Sequence, residues 1–288
     1  MSGHLLEVKG VCKTFGIGGL LSRHRFFAVR DVDFAIERDR QEIFTIIGES
    51  GSGKTTLARM ILNIVPTSEG TIRFRGQDLA ALRTRAQKLS FMREVQPIFQ
   101  NPFEAFNPLK RVDRYLFMTA RRFTDAATNA EVEDRADRAL QKVGLSLSEV
   151  KGRFPHELSG GQLQRAAVAR SLISNPSLIV ADEPVSMVDA SIRMSIVNLF
   201  KTLRDDLKVS IIYITHDLAT AYYISDRIII MRMGEIVERG DAREILSNPT
   251  HPYSILLKSS VLPPDPSGRE DLLNPQFSSH ERELESAR

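Results

Sequence analysis

The stretch Gly48-Glu49-Ser50-Gly51-Ser52-Gly53-Lys54-Thr55-Thr56 constrains what this chain can fold into more than any other. It fits G-x-x-x-x-G-K-[ST], follows the apolar run Ile43-Phe44-Thr45-Ile46-Ile47 and precedes the helix-forming run Leu57-Ala58-Arg59-Met60-Ile61-Leu62. A strand that turns through glycines into a helix makes a cradle for phosphate. The glycines let successive backbone N–H groups face inward, and the helix adds its positive N-terminal dipole. Lys54 then reaches the β- and γ-phosphates, and the Thr55 hydroxyl ligates Mg²⁺. The bare pattern arises by chance in roughly 1% of unrelated chains this long. The flanking strand and helix are what separate a nucleoside-triphosphate site from a Gly-rich structural turn.

Composition bounds the rest. A chain of 288 residues buries a full core as one large domain, or a domain with a subdomain, without staples. Hydrophobic residues at 42% and charged residues at 26% exclude a disordered or fibrous body. A net charge of +3 is too small to argue for nucleic acid. The one cysteine, Cys12, excludes an internal disulfide, a Cys₄ zinc site and a cysteine-ligated iron–sulfur cluster, and fits a reducing compartment. No signal-peptide pattern opens the sequence. The longest apolar runs, Ile211-Ile212-Tyr213-Ile214 and Ile228-Ile229-Ile230-Met231, fall far below the ~20 residues that span a bilayer, so a membrane role is expected to come through a partner.

Taken in order, residues 5–11 and 29–36 alternate as antiparallel strands exposed on one face, with a glycine-marked loop between them and Phe15 just before it. Residues 66–70 form a turn and 71–76 a further strand. From about residue 79 helix formers dominate, interrupted by the two-proline loop Gln100-Asn101-Pro102-Phe103-Glu104-Ala105-Phe106-Asn107-Pro108. Residues 130–144 are an amphipathic helix closed by Gly144. Leu158-Ser159-Gly160-Gly161-Gln162 opens another helix and is a second candidate anion site. Continuous apolar runs at 177–181 and 209–214 read as strands of a buried parallel sheet. Helices at 192–203 and 218–224, a strand at 227–232 and a hairpin through Met233-Gly234 complete the pattern. The tail after Val261 is proline-rich and charged, and is expected to be largely disordered.

Asp182 and Glu183 end the first of those buried runs, where open α/β sheets place their chemistry. Neighbours on a strand point to opposite sides, so the two carboxylates are expected to do different jobs. Asp182 suits Mg²⁺, usually through water, and Glu183 suits the general base on an attacking water. Taken alone, an acidic pair is more often a solvated turn, His216 a satisfied structural histidine, Gln100 an ordinary loop residue and Phe15 a packing residue. The upstream phosphate loop and the order of the elements reverse that weighting.

Gly48-Glu49-Ser50-Gly51-Ser52-Gly53-Lys54-Thr55, Gln100, residues 158–162, residues 178–183, Asp189 and His216 resemble the Walker A, Q-loop, signature, Walker B, D-loop and switch-histidine elements of ABC transporter ATPases, in that family's order. The resemblance covers roughly residues 5–240. It implies an α/β fold: a RecA-like P-loop NTPase core with an antiparallel β subdomain and an inserted α-helical subdomain. The implied division is 1–85 and 165–240 for the core, 86–164 for the helical subdomain and 241–288 for a C-terminal tail. It also implies ATP and Mg²⁺. Phe15 matches the aromatic that stacks on adenine, and the residues from Gly48 to Thr56 match those that hold phosphate. Thr55, Gln100 and Asp182 match the metal-contacting positions, and Lys54, Gln100, Glu183 and His216 match the catalytic ones. Ser159, Gly160, Gly161 and Gln162 match the segment that contacts the γ-phosphate bound to the opposite subunit, and Asp189 matches the aspartate that links the two sites. One chain carrying both a phosphate loop and a separate anion-binding helix terminus suits a head-to-tail dimer closed on ATP.

Finer features resemble the oligopeptide/dipeptide importer ATPases, a subgroup that includes oligosaccharide and nickel importers: the loop after Phe99, Phe154-Pro155-His156-Glu157 before the signature, and Asn248-Pro249-Thr250-His251-Pro252-Tyr253. That resemblance implies a second ATPase subunit, two transmembrane permease subunits, indirectly an extracytoplasmic solute-binding protein, no nucleic acid, and a peripheral place on the cytoplasmic face of the membrane. The chain departs from the family's pattern in Asp39-Arg40-Gln41-Glu42, implying an altered hairpin, and in Ser186-Met187-Val188-Asp189, where Ser-Ala-Leu-Asp is commoner. A soluble ABC ATPase acting on nucleic acid or the ribosome, an exporter ATPase, and a P-loop kinase or GTPase are the alternatives.

Overall fold

The computed structural model describes residues 3–16 and 25–260. The two alternating runs near the start form long antiparallel strands, β1 (His4–Gly16) and β2 (Arg25–Glu37), paired from His4↔Glu37 to Gly16↔Arg25. The middle of the glycine-marked loop between them (17–24) and the tail after Val261 lie outside the described residues. Residues 38–42 then carry the chain out of this sheet, because β3 (Ile43–Ile47) pairs with neither β1 nor β2. The hairpin expected around Glu42 is therefore a crossover between two sheets. Glu42 is fully buried there, and its carboxylate accepts from Arg227 Nη2 and Nε at 2.6 and 2.7 Å, which compensates a charge that could not sit there alone.

All five residues of β3 are buried, so the strand needs neighbours on both sides and cover above and below. The phosphate loop leads into α1 (Lys54–Ile61), and the chain returns to the first sheet as β4 (Glu69–Phe74) and the short β5 (Gln77–Asp78), in strand order β2-β1-β4-β5. Helix α2 (Arg85–Glu94) is capped by Thr84 with Gln87 reaching back, and runs straight into β6 (Val95–Ile98). Strand β6 has no counterpart among the strands expected from sequence. Four residues containing Pro97 show no alternation, and the strand is tolerated because it lies at a sheet edge, where a missing N–H leaves no ladder partner unpaired.

A helical layer follows: α3 (Pro102–Ala105), α4 (Val112–Phe123), α5 (Asn129–Gln141), α6 (Leu147–Val150) and α7 (Gly160–Leu172). The chain then re-enters the sheet as β7 (Leu178–Asp182), α8 (Ala190–Asp205), β8 (Ser210–Thr215), α9 (Leu218–Ile224), β9 (Arg227–Arg232) and β10 (Glu235–Asp241), and ends in α10 (Ala242–Ser247) and α11 (Pro252–Ser260). The second sheet has the order β10-β9-β3-β8-β7-β6, parallel except for the β9–β10 hairpin.

Strand period explains the two main cores. Ile179 and Ala181 of β7, with Ile211 and Tyr213 of β8, face a cluster that includes Leu116, Leu140, Leu163 and Phe200 of the helices. Leu178, Val180, Ile212 and Ile214 face the other way, onto Leu57 and Ile61 of α1 and Leu6, Val11 and Val32 of the first sheet. Each fully buried Leu or Ile contributes about 1.5–3 kcal/mol. A third cluster joins Ile47 and Ile230 to Leu218, Ala242 and Tyr253, which seats the C-terminal helices beside the phosphate loop. Among the described residues no helix is long and apolar enough to cross a membrane.

Candidate active site

At the carboxyl end of β3 the chain turns through 48–53 before α1 begins. Ser52 N donates to Glu49 O at 3.2 Å, and Leu57 is bonded to Gly53 O at 2.9 Å, as the fourth residue of the helix should be. The amides of Lys54, Thr55 and Thr56 precede any intrahelical acceptor and share the positive end of α1. Two positions require glycine. At Gly53 φ is +102° and a Cβ would stand 2.3 Å from Ala28 O; at Gly48 it would stand 2.3 Å from Met231 O. Lys54 is buried, and its Nζ donates to Gly48 O and Glu49 O, both at 2.7 Å. Burial pushes its pKa down, while the charges of Glu183, Asp182 and Glu49 work against that shift. A buried ammonium held by two loop carbonyls is poorly compensated and suited to an incoming anion.

Asp182, the last residue of β7, lies beside the Thr55 hydroxyl. Burial pushes its carboxyl pKa up; the Thr55 hydroxyl opposes this, the Glu183 charge adds to it, and Lys54 and Arg59 oppose it. Its Oδ1 is buried with no hydrogen-bond partner. An orphaned carboxylate oxygen next to a hydroxyl fits a small hard cation. Among the described residues no group of three or more His, Cys, Asp or Glu could hold a metal, so such a cation would take its remaining oxygens from phosphate and water.

Glu183 leaves the strand with φ +46°, and its N–H donates to Ile214 O at 2.9 Å. The left-handed conformation costs a non-glycine residue about 1 kcal/mol. Its carboxylate has two partners: Oε2 accepts from Gln100 Nε2 at 3.0 Å, and Oε1 stands 3.1 Å from His216 Nδ1. Gln100, Glu183 and His216 follow β6, β7 and β8, three adjacent parallel strands whose carboxyl ends share one edge of the sheet. Asp182 and Glu183 thus have separate partners although they are neighbours in sequence.

One cavity of about 720 Å³ gathers most of these groups. It is lined by Phe15, Glu49, Ser50, Gly51, Gly53, Lys54, Thr55, Thr56, Gln100, Glu183 and His216, together with Phe26 and Ala28. Gly48, buried Ser52 and Asp182 back this wall without lining it. Phe26 was not singled out from sequence. It pairs directly with Phe15 across the β1–β2 ladder, and the two rings are 50% and 44% exposed. Two aromatic residues left in solvent at the mouth of a cavity walled by the 49–56 loop offer a surface for a flat base.

Ser159, Gly160, Gly161, Gln162 and Asp189 do not line this cavity. Ser159 caps α7: its Oγ accepts from Gln162 N at 3.2 Å, and Gln162 Oε1 accepts from Ser159 N at 3.0 Å. Ser159 and Gly160 are exposed, whereas Gly161 packs on α8, where a Cβ would meet Ile192 Cγ2 at 3.0 Å. The unusual 186–189 segment divides its two apolar residues: Val188 is buried in the helical core, and Met187 is 63% exposed beside exposed Asp189.

Residues 29–186, more than half of the chain, match the family model described as ABC transporter. The chain belongs to the ABC transporter family. A second model, described as the oligopeptide/dipeptide transporter C-terminal region, matches residues 237–284 of this ABC subunit. The chain is 38% identical over 266 residues to the oligopeptide transport ATP-binding protein OppF of Streptococcus pyogenes serotype M1, covering 92% of this chain and 84% of the relative. It is 39% identical over 269 residues to AmiF of Streptococcus pneumoniae, covering 92% and 84%. Among solved structures, the dimeric ATP-binding cassette MJ0796 in a post-hydrolysis state bound to ADP and Pi superposes with a TM-score of 0.73 at 27% identity, over 83% of this chain and 99% of that one. The fold is that of the ABC ATPase cassettes, and this chain is the ATP-hydrolysing, nucleotide-binding subunit of an ABC importer.

Proposed function

We propose that two such cassettes, identical or closely related, close head to tail on ATP, and that hydrolysis drives uptake of a solute through separate membrane subunits. The observation that carries this reading is the Glu183 carboxylate, held between Gln100 and His216 in the cavity that contains Lys54. The match of residues 237–284 and the printed names of the relatives support an oligopeptide or dipeptide as solute; an oligosaccharide is the second candidate.

In this reading adenine stacks on Phe15 and Phe26, and the phosphates lie on the first-turn amides of α1. Lys54 exchanges the loop carbonyls for the β- and γ-phosphates. Thr55, Asp182 and Gln100 would hold Mg²⁺, which when bound would neutralise phosphate charge. Glu183 accepts the proton of the attacking water, and His216, 3.1 Å away, steadies that carboxylate and the γ-phosphate. The exposed N-terminus of α7, with Ser159, Gly160, Gly161 and Gln162, supplies the donors that reach the γ-phosphate on the opposite subunit, and Asp189 links the two sites. Binding of ATP between subunits stabilises the closed dimer, and its cleavage releases it.

A groove lined by Ile64, Met92, Phe99 and Phe123 lies beside β6, one residue from Gln100. We assign this surface to the membrane subunits; in this reading the chain sits on the cytoplasmic face of the membrane, is fed indirectly by an external solute-binding protein and has no role on nucleic acid. Co-purification of the membrane subunits, followed by ATPase assays with candidate solutes, tests the reading. Stimulation by a peptide supports it; salt-sensitive nucleic-acid binding with no membrane partner overturns it.

A further inference from the structure

One contact ties the C-terminal helix to the phosphate loop. Tyr253, in the first turn of α11, is 3% exposed, and its hydroxyl oxygen accepts from Glu49 N–H at 3.0 Å. The carbonyl of the same residue accepts from Lys54 Nζ at 2.7 Å, so Glu49 is held through both of its backbone polar groups.

The tyrosine is itself held firmly. Buried Glu238 on β10 accepts from Thr250 N at 2.8 Å, Thr250 Oγ1 at 2.9 Å and His251 N at 3.3 Å. His251 Nδ1 accepts from Tyr253 N at 3.1 Å, and the Arg232 guanidinium lies 5.1 Å from the centre of the Tyr253 ring. Thr250-His251-Pro252-Tyr253 is thus a turn whose hydrogen bonds set the place of one phenol. Packing alone would be met by phenylalanine; the hydroxyl is what meets the loop.

We propose that Tyr253 is a positioning residue of the ATP site, holding the Glu49 peptide in place when Lys54 leaves the loop carbonyls for phosphate. The proposal rests on the reading of 48–56 as the phosphate-binding loop. When Nζ turns to a phosphate, Gly48 O and Glu49 O both lose their donor. The bond from Glu49 N–H to Tyr253 does not depend on Lys54 and persists. Without it the peptide is free to rotate, and ATP must order the loop as it binds.

The test uses the full chain titrated with ATP, steady-state ATPase kinetics and thermal melts without nucleotide. For Tyr253→Phe the expected result is a Kd and KM for ATP raised about three- to tenfold, the value of one hydrogen bond, with kcat at saturating ATP within about twofold of the parent. Glu238→Gln, which loosens the turn, is expected to shift Kd in the same direction by less. An unchanged Kd in Tyr253→Phe overturns the proposal. So does a Kd rise accompanied by an equal loss of kcat and a melting temperature lowered by more than about 5 °C, because that describes a packing residue. Lys54→Ala reads the loop separately: unchanged ATP affinity there overturns the loop assignment and the proposal together, whereas weakened affinity with Tyr253→Phe unchanged overturns the proposal alone.

Discussion

Glu183→Gln keeps the shape of the side chain and removes its charge and its capacity to take a proton. Gln100 Nε2, 3.0 Å from the present carboxylate, still finds an oxygen acceptor, so the local geometry is expected to survive. A positioned general base contributes typically ~10²–10⁴-fold to rate, or roughly 3–5.5 kcal/mol at about 1.4 kcal/mol per decade. Nucleotide binding should respond in the opposite direction. Glu183 is the foremost carboxylate acting on Lys54, and it lines the cavity proposed to receive the phosphates. Its removal leaves less repulsion for a triphosphate, so ATP affinity is expected to hold or tighten. Single-turnover phosphate release measures the first effect. ATP titration and size-exclusion chromatography with ATP measure the second, with an ATP-dependent dimer as the expected product. A fall in hydrolysis of less than about tenfold, or loss of ATP affinity, would refute the reasoning.

Three further outcomes follow from particular side chains. Burial raises the Asp182 pKa above its ordinary 3.8, so its protonated form is favoured by folding: that stability is fully present below the unfolded value and lost as pH rises through the folded one. Asp182→Asn is therefore expected to raise the melting temperature at pH 7, to lose that gain toward pH 4, and to abolish hydrolysis; a lower melting temperature at pH 7 contradicts this. Phe26→Ala is expected to weaken ATP binding by about 1 kcal/mol, comparable to Phe15→Ala, through lost stacking, and calorimetric titration showing no change removes Phe26 from the base site. Glu42→Ala strands the Arg227 guanidinium and is expected to cost about 3 kcal/mol in urea unfolding; a loss under 1 kcal/mol would show that water replaces the carboxylate.

Much of the sheet was legible because its strands are continuous apolar runs: β8 and β9 lie within a residue of where their side chains place them, and helix α9 begins at Leu218 as expected. Strand β6 was not legible, since Val95-Gln96-Pro97-Ile98 is short, lacks alternation and exists only because β7 offers it an edge. Adjacency in sequence says nothing about which sheet a strand joins, so 38–42 looks like a hairpin in the sequence although it is a crossover. Within the site, Lys54, Glu183 and His216 each follow an apolar run that reads as a strand, whereas Gln100 follows the illegible β6 and stands out only through the order of the family's motifs. Phe26 needed the register that sets it opposite Phe15, and the bond between Tyr253 and Glu49 spans 204 residues, which no local pattern reports.

Transport in this reading requires two copies that share each ATP. A cryo-EM structure of the Glu183→Gln protein with ATP and Mg²⁺ tests this most directly, through the position of Ser159, which is exposed and self-capped here. The expected result is Ser159 Oγ of one subunit within hydrogen-bond distance of the γ-phosphate held by Lys54 of the other. An ATP-loaded protein in which Ser159 remains in solvent and each nucleotide contacts one chain alone would contradict it.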